Sequence, residues 1–156
     1  MRISLISVGT KMPGWIQTGV DEYAKRIQKS LGFSVVEVPL AQRSKSSNVA
    51  QSMEKEAANI LAKIQDSDFV IALVVTGKKL STEDLSKRLA EFKVEGRNIV
   101  FLAGGPDGLH ESCRQRANEQ WSLSDLTLPH PLVRVLLLEQ LYRANSLLEG
   151  HPYHRQ

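Results

Sequence analysis

A chain of 156 residues, 42% hydrophobic and 24% charged, is long enough to bury roughly two-thirds of its unfolded surface in one domain spanning 1–156, so neither a disulfide nor a metal is needed to hold it. A single cysteine, Cys113, rules out an intrachain bridge and suits a reducing compartment. The net charge of +3 is too small to argue for nucleic acid, but residues 1–50 hold seven Lys or Arg against three acids while residues 51–128 hold ten against twelve, so the basic excess lies towards the ends.

Residues 2–8 (Arg-Ile-Ser-Leu-Ile-Ser-Val) read as a strand ended by Gly9, where the backbone can turn or approach a ligand. Trp15, Ile16, Val20, Tyr23, Ala24 and Ile27 recur at helical spacing between Gly14 and Leu31, and Gly32 stops that helix. A second strand over 34–39 is followed by a polar loop over 42–48 and an amphipathic helix over 49–64. Residues 69–75 and 98–103 are unbroken apolar runs of strand length, the pattern of strands covered on both faces. Between them Ser81 caps a helix, with Asp84 in its third position. None of the apolar runs is long enough for a signal core or a membrane span, so the expected location is cytoplasmic. Alternation of strand and helix predicts an α/β fold with a mainly parallel sheet and flanking helices, in which ligands collect at the carboxyl ends of the strands.

The last third holds the segments suited to chemistry. Gly104-Gly-Pro-Asp-Gly108 follows a strand and is expected to precede a helix opened by Pro106, a place where glycines let the backbone come close to a cofactor. It is neither a dinucleotide fingerprint nor a phosphate-binding loop, and Gly77-Lys-Lys-Leu lacks the rest of one. A second irregular segment, Leu123 to Leu128, ends in Pro129-His130-Pro131, which opens a helix over 132–149 closed by Gly150. Leu132, Val133, Val135, Leu136, Leu137 and Leu138 make that helix apolar almost all round, so it needs cover on two sides: its own sheet and, most simply, a second subunit. Arg134 shares a face with Leu138, Leu141 and Asn145, which favours an interface or substrate role over a solvated charge. Glu139 and Arg143 read as a surface i,i+4 ion pair. His151-Pro-Tyr-His-Arg155 packs a ring, two imidazoles and a guanidinium into five residues, groups that stack on an unstacked base and hold its phosphates.

Taken together with Val8-Gly-Thr-Lys-Met-Pro13 and Tyr23, these segments resemble over the whole chain the RlmH family of SPOUT-class methyltransferases. The resemblance implies a C-terminal trefoil knot, against the general rule that chains do not thread loops. It implies S-adenosyl-L-methionine as cofactor, held by Leu73, Gly104, Leu123, Ser124, Asp125, Leu126, Thr127 and Leu128. The substrate it implies is N3 of a pseudouridine in 23S ribosomal RNA, methylated on the assembled ribosome by a homodimer. Loss of the N3 proton needs a base, for which His130 and His154 are candidates, or a cation that acidifies the imide, for which Arg134 and Arg155 are candidates. Tyr153 is the candidate stacking partner, and Lys11, Arg43 and Lys45 are candidate phosphate contacts. Two other readings of the residues remain: a nucleotide-binding α/β enzyme using Gly104 to Gly108 for phosphate, and a non-catalytic ribosome-binding protein. S-Adenosylmethionine and a dinucleotide, offered in parallel, separate the three.

Overall fold

The computed structural model describes residues 1–43 and 48–155, leaving out the side chain of His154; Lys45 lies outside the described residues. Five parallel strands form one sheet in the order β2-β1-β4-β3-β5: β1 Ile3–Val8, β2 Ser34–Val38, β3 Phe69–Lys79, β4 Ile99–Ala103 and β5 Glu119–Ser122. The helices are α1 Gly14–Leu31, α2 Val49–Leu61, α3 Thr82–Glu95, α4 Glu111–Arg116 and α5 His130–Leu148, followed by a 3-10 turn at Pro152–Arg155.

The period-two alternation of each strand divides its side chains between two cores. Leu5, Ile71, Ile99 and Phe101 face one layer with α1, α3 and α5, while Ile6, Val70, Val100 and Leu102 face Ala57 and Ile60 of α2 and Cys113 of α4. Cys113 is fully buried, and burial pushes its thiol pKa up, so it is an apolar filler rather than a nucleophile.

Local signals set the helix ends. Gly32 and Gly96 take the left-handed conformation that stops α1 and α3, and Ser81 and Asp84 form a reciprocal capping box. Asn48 and Gln51 do the same for α2, which ends at Leu61, three residues short of the expected 64.

Two further expectations change. The strand expected over 69–75 runs on to Lys79, because it leaves the sheet and rejoins it: Leu73 and Lys78 both pair with Trp121. Pro106 does not open a helix. His110 caps the short α4, its Nδ1 accepting from the Ser112 amide at 3.1 Å. β5, which no periodicity announced, completes the edge beside β3. From that edge the chain returns to the middle of the molecule as α5, packed on α1 and α3.

Candidate active site

Strand ends build the site. Beyond β4 the turn from Gly104 is closed by Gly108 N donating to Gly105 O at 3.0 Å, with Gly108 at φ 82°. A Cβ on Gly104 would lie 2.3 Å from the Gly108 carbonyl carbon and 2.7 Å from Leu109 N. The glycine is therefore required by the loop's own closure, not only by a ligand. Beyond β5, Ser122 Oγ donates to Ser124 O at 2.9 Å and Ser124 Oγ accepts from Leu126 N at 3.0 Å, which folds the 123–128 segment back towards β3.

Between these loops lies a cleft of about 420 Å³, within the usual size range of small-molecule sites. Leu73, Gly104, Leu128 and His130 line it together with Asp107, Arg114 and the Val74–Thr76 excursion of β3. A smaller cavity of about 70 Å³ shares Leu73 and Leu128 and adds Leu123, Ser124 and Leu126. Six of the eight residues assigned to a cofactor thus border one or other of two neighbouring cavities. Asp125 and Thr127 are exposed and border neither cavity, Asp125 pairing with Lys79. Val74 to Thr76, Asp107 and Arg114 were not anticipated. Asp107, inside Gly-Pro-Asp-Gly, had a visible sequence signal; Arg114 had none.

His130 opens α5 at the rim of this cleft. Burial, and secondarily the charge of Arg134, hold its pKa below the ordinary imidazole value of 6.5. The free base is then the dominant form at neutral pH. If His130 takes a proton in the reaction, the acid limb of kcat/KM is expected below pH 6.5 and should vanish in His130→Gln; a limb at or above 6.5 would exclude it as the base. The unfolded chain protonates near 6.5 and the folded one at lower pH, so stability is intact above that value and declines as pH falls through the window between the two.

Arg134 is not an exposed contact residue, though it borders a groove of about 350 Å³ between α1 and β2. It is 1% exposed, with Nη1 2.7 Å from Glu37 Oε2 and Nη2 donating to Gly9 O at 2.7 Å and Val8 O at 3.3 Å. Its observed task is to tie α5 to β2 and to the carboxyl end of β1. Arg43 also departs from the expected phosphate contact. Its guanidinium is committed to the buried Glu56 and to Asp107 Oδ2, 2.9 Å away. Lys11 is exposed after β1.

The tail is folded onto its own helix. Tyr153 Oη lies 3.2 Å from both the Tyr23 hydroxyl and Glu139 Oε1, its ring centroid is 4.5 Å from that of Tyr142, and the Arg143 guanidinium sits 4.9 Å above the ring. Burial first, then Tyr23 and Glu139, hold the phenol in its neutral form well above its ordinary range. Glu139 and Arg143 are consequently a half-buried pair under the tail, not the surface pair expected. Arg155 is exposed and His154 belongs to the same 3-10 turn.

A family model described as "Predicted SPOUT methyltransferase" matches residues 1–154. The protein named Ribosomal RNA large subunit methyltransferase H from Saccharophagus degradans is 56% identical over 155 residues, covering 99% of this chain and all of that protein. Its namesake from Hahella chejuensis is 50% identical over 156 residues, all of both chains. Among solved structures, a tRNA (m1G37) methyltransferase from Aquifex aeolicus superposes with a TM-score of 0.55 over 92% of this chain and 70% of that one, at 14% identity, a likeness of fold alone.

Proposed function

Because the chain belongs to the SPOUT methyltransferase family, with its α/β-knot fold, we propose that it methylates N3 of a pseudouridine in 23S ribosomal RNA on assembled ribosomes, using S-adenosyl-L-methionine. The observation that carries this reading is identity of 46 to 56% with several relatives of that printed name over nearly the whole chain. A cleft of about 420 Å³ at the strand ends, with apolar walls and a few charged groups, fits a nucleoside carrying a polar tail. Bound there, S-adenosylmethionine supplies a methyl group already activated on sulfonium. Leu73, Gly104, Leu123, Ser124, Leu126 and Leu128 enclose the donor, His130 stands as the base at the rim, and positioning supplies most of the acceleration. Lys11 and Lys45 remain candidate ribosome contacts. The single domain acts in the cytoplasm; no helix among the described residues is long and apolar enough to cross a membrane. The test is methyl incorporation, mapped by mass spectrometry, into ribosomes lacking the modification. Absence of product from folded protein with bound donor would defeat the reading.

The active form is a homodimer with a composite site. Leu132, Val133, Val135 and Leu136 remain only half-buried after α5 has packed in its own chain, so they are available to a second copy. Leu137, at 1% exposure, belongs to the core, so a substitution there reports on folding and not on the interface. Tyr153 is held beside Glu139 and Arg143, more than two helical turns and roughly 13 Å along α5 from His130. That separation favours Tyr153, His154 and Arg155 serving the neighbouring copy's cleft. A chain truncated after Gly150 is expected to fold, dimerise and bind donor, yet to methylate ribosomes roughly tenfold more slowly or worse, the scale of one lost charge-assisted contact. Native rates from the truncated chain would remove the tail from the site, and sedimentation of the native chain as an active monomer would remove the dimer.

A further inference from the structure

Asp107 and Arg114 put opposite charges on the wall of one cleft, and the fold leaves part of each unused. Arg43 reaches only Oδ2 of Asp107, at 3.1 Å from Nε and 2.9 Å from Nη2; Oδ1 has no partner among the described residues. Arg43 is itself fixed by buried Glu56 and donates to Ala41 O at 2.7 Å, so the Asp107 carboxylate is held in place from behind. On α4, Arg114 Nη2 lies 2.7 Å from Glu111 Oε2 and the side chain is 39% exposed, while its Nε has no hydrogen-bond partner among the described residues. The cleft also presents the apolar side chains of Leu73, Val74, Leu128 and Val133, beside Thr76 and His130. An acceptor and a donor of opposite charge beside these apolar side chains match a ligand with a flat nucleoside body and a zwitterionic end.

Resting on the donor assignment above, we propose that Asp107 and Arg114 hold the amino-acid end of the methyl donor, the Asp107 carboxylate accepting from the α-ammonium and the Arg114 guanidinium donating to the α-carboxylate. They are specificity residues: they choose donors that carry both charges and aim the sulfonium from its far end. Arg43 and Glu56 act through Asp107 as positioning residues.

Calorimetry with three nucleosides tests the assignment: S-adenosylhomocysteine, which has both charges; decarboxylated S-adenosylmethionine, which lacks the carboxylate; and 5′-methylthioadenosine, which lacks the whole amino-acid end. Arg114→Met is expected to weaken S-adenosylhomocysteine roughly tenfold or more while changing the other two by less than about twofold. Asp107→Asn, in which Glu56 still holds Arg43, should weaken the two ammonium-bearing ligands and spare 5′-methylthioadenosine. Arg114→Gln replaces Arg114→Met should the latter not fold, and retained 5′-methylthioadenosine binding reports an intact cleft. Equal loss for all three ligands, or no loss for S-adenosylhomocysteine, overturns the pairing. A native chain that binds none of the three overturns the methyl-donor reading itself.

Discussion

Arg134→Met is expected to lower the unfolding free energy by about 3 kcal/mol, read from the urea midpoint at unchanged slope. Methionine keeps most of the aliphatic stem, so the loss of packing is small and the loss of hydrogen bonding dominates. The carbonyl oxygens of Val8 and Gly9 would each lose a charged donor now 3.3 and 2.7 Å away, at a site where the arginine is 1% exposed. Glu37, whose side chain is 35% exposed, can recover water and adds less. Glu37→Gln, which keeps an acceptor, is accordingly expected to cost about 1 kcal/mol or less. A loss below about 1 kcal/mol for Arg134→Met would mean that the clamp is replaceable by solvent and that the arginine is kept for another purpose.

Gly104→Ala is the second large effect, and it separates loop geometry from ligand contact. The added methyl would meet Gly108 C at 2.3 Å, Gly108 O at 2.5 Å and Leu109 N at 2.7 Å, all backbone, so no rotamer change relieves it. Relief requires opening the turn that Gly108 N closes on Gly105 O, next to Leu109, which is buried in the second core. Overpacking of this kind costs about 2 kcal/mol or more. Because Gly104 and Gly108 both border the cleft, affinity for S-adenosylhomocysteine should fall roughly a hundredfold as well. Gly14→Ala is the control: nothing lies within 4 Å of its Cβ position in the first turn of α1, and alanine is expected to be neutral or slightly stabilising there. Native stability and native affinity in Gly104→Ala would show that the turn can relax without cost.

Local chemistry explains which parts could be read from residues alone. The β3 and β4 cores follow from unbroken apolar runs, α1 from its apolar spacing and the Gly32 stop, and the start of α3 from the Ser81–Asp84 box, each set by residues within a few positions of one another. β5 could not be found that way. Glu119-Gln-Trp-Ser has one large apolar residue in four, and its place depends on β3 swinging out between Leu73 and Lys78 and on Gly77, where any Cβ would strike the Trp121 and Gln120 backbone within 2.7 Å. Arg134 was visibly out of place on an apolar face, yet its acceptors are 97 to 126 residues away in sequence. Arg43 looked like a free surface cation because Glu56 and Asp107 are brought to it only by folding. The cleft itself was foreshadowed by Gly104 and the 123–128 segment, whereas Arg114 enters through the turn of a six-residue helix with no periodicity to announce it.

The pairing of Ile3 with Ile99, and of Gly9 O with Arg134, also governs the order in which the molecule can form. During synthesis the first strand emerges with only β2 to join, and its inner neighbour β4 follows nearly a hundred residues later. The layer containing α1 and α3 stays open until Leu137, Leu138 and Leu141 arrive on α5. Such distant parallel contacts close slowly, on a scale of roughly milliseconds to seconds or longer, because the entropy of the intervening loop is lost before any contact repays it. A nascent chain halted before residue 130 should therefore expose one apolar face of its sheet and bind hydrophobic dyes or holdase chaperones, and release of the final helix should end that exposure in a single late step.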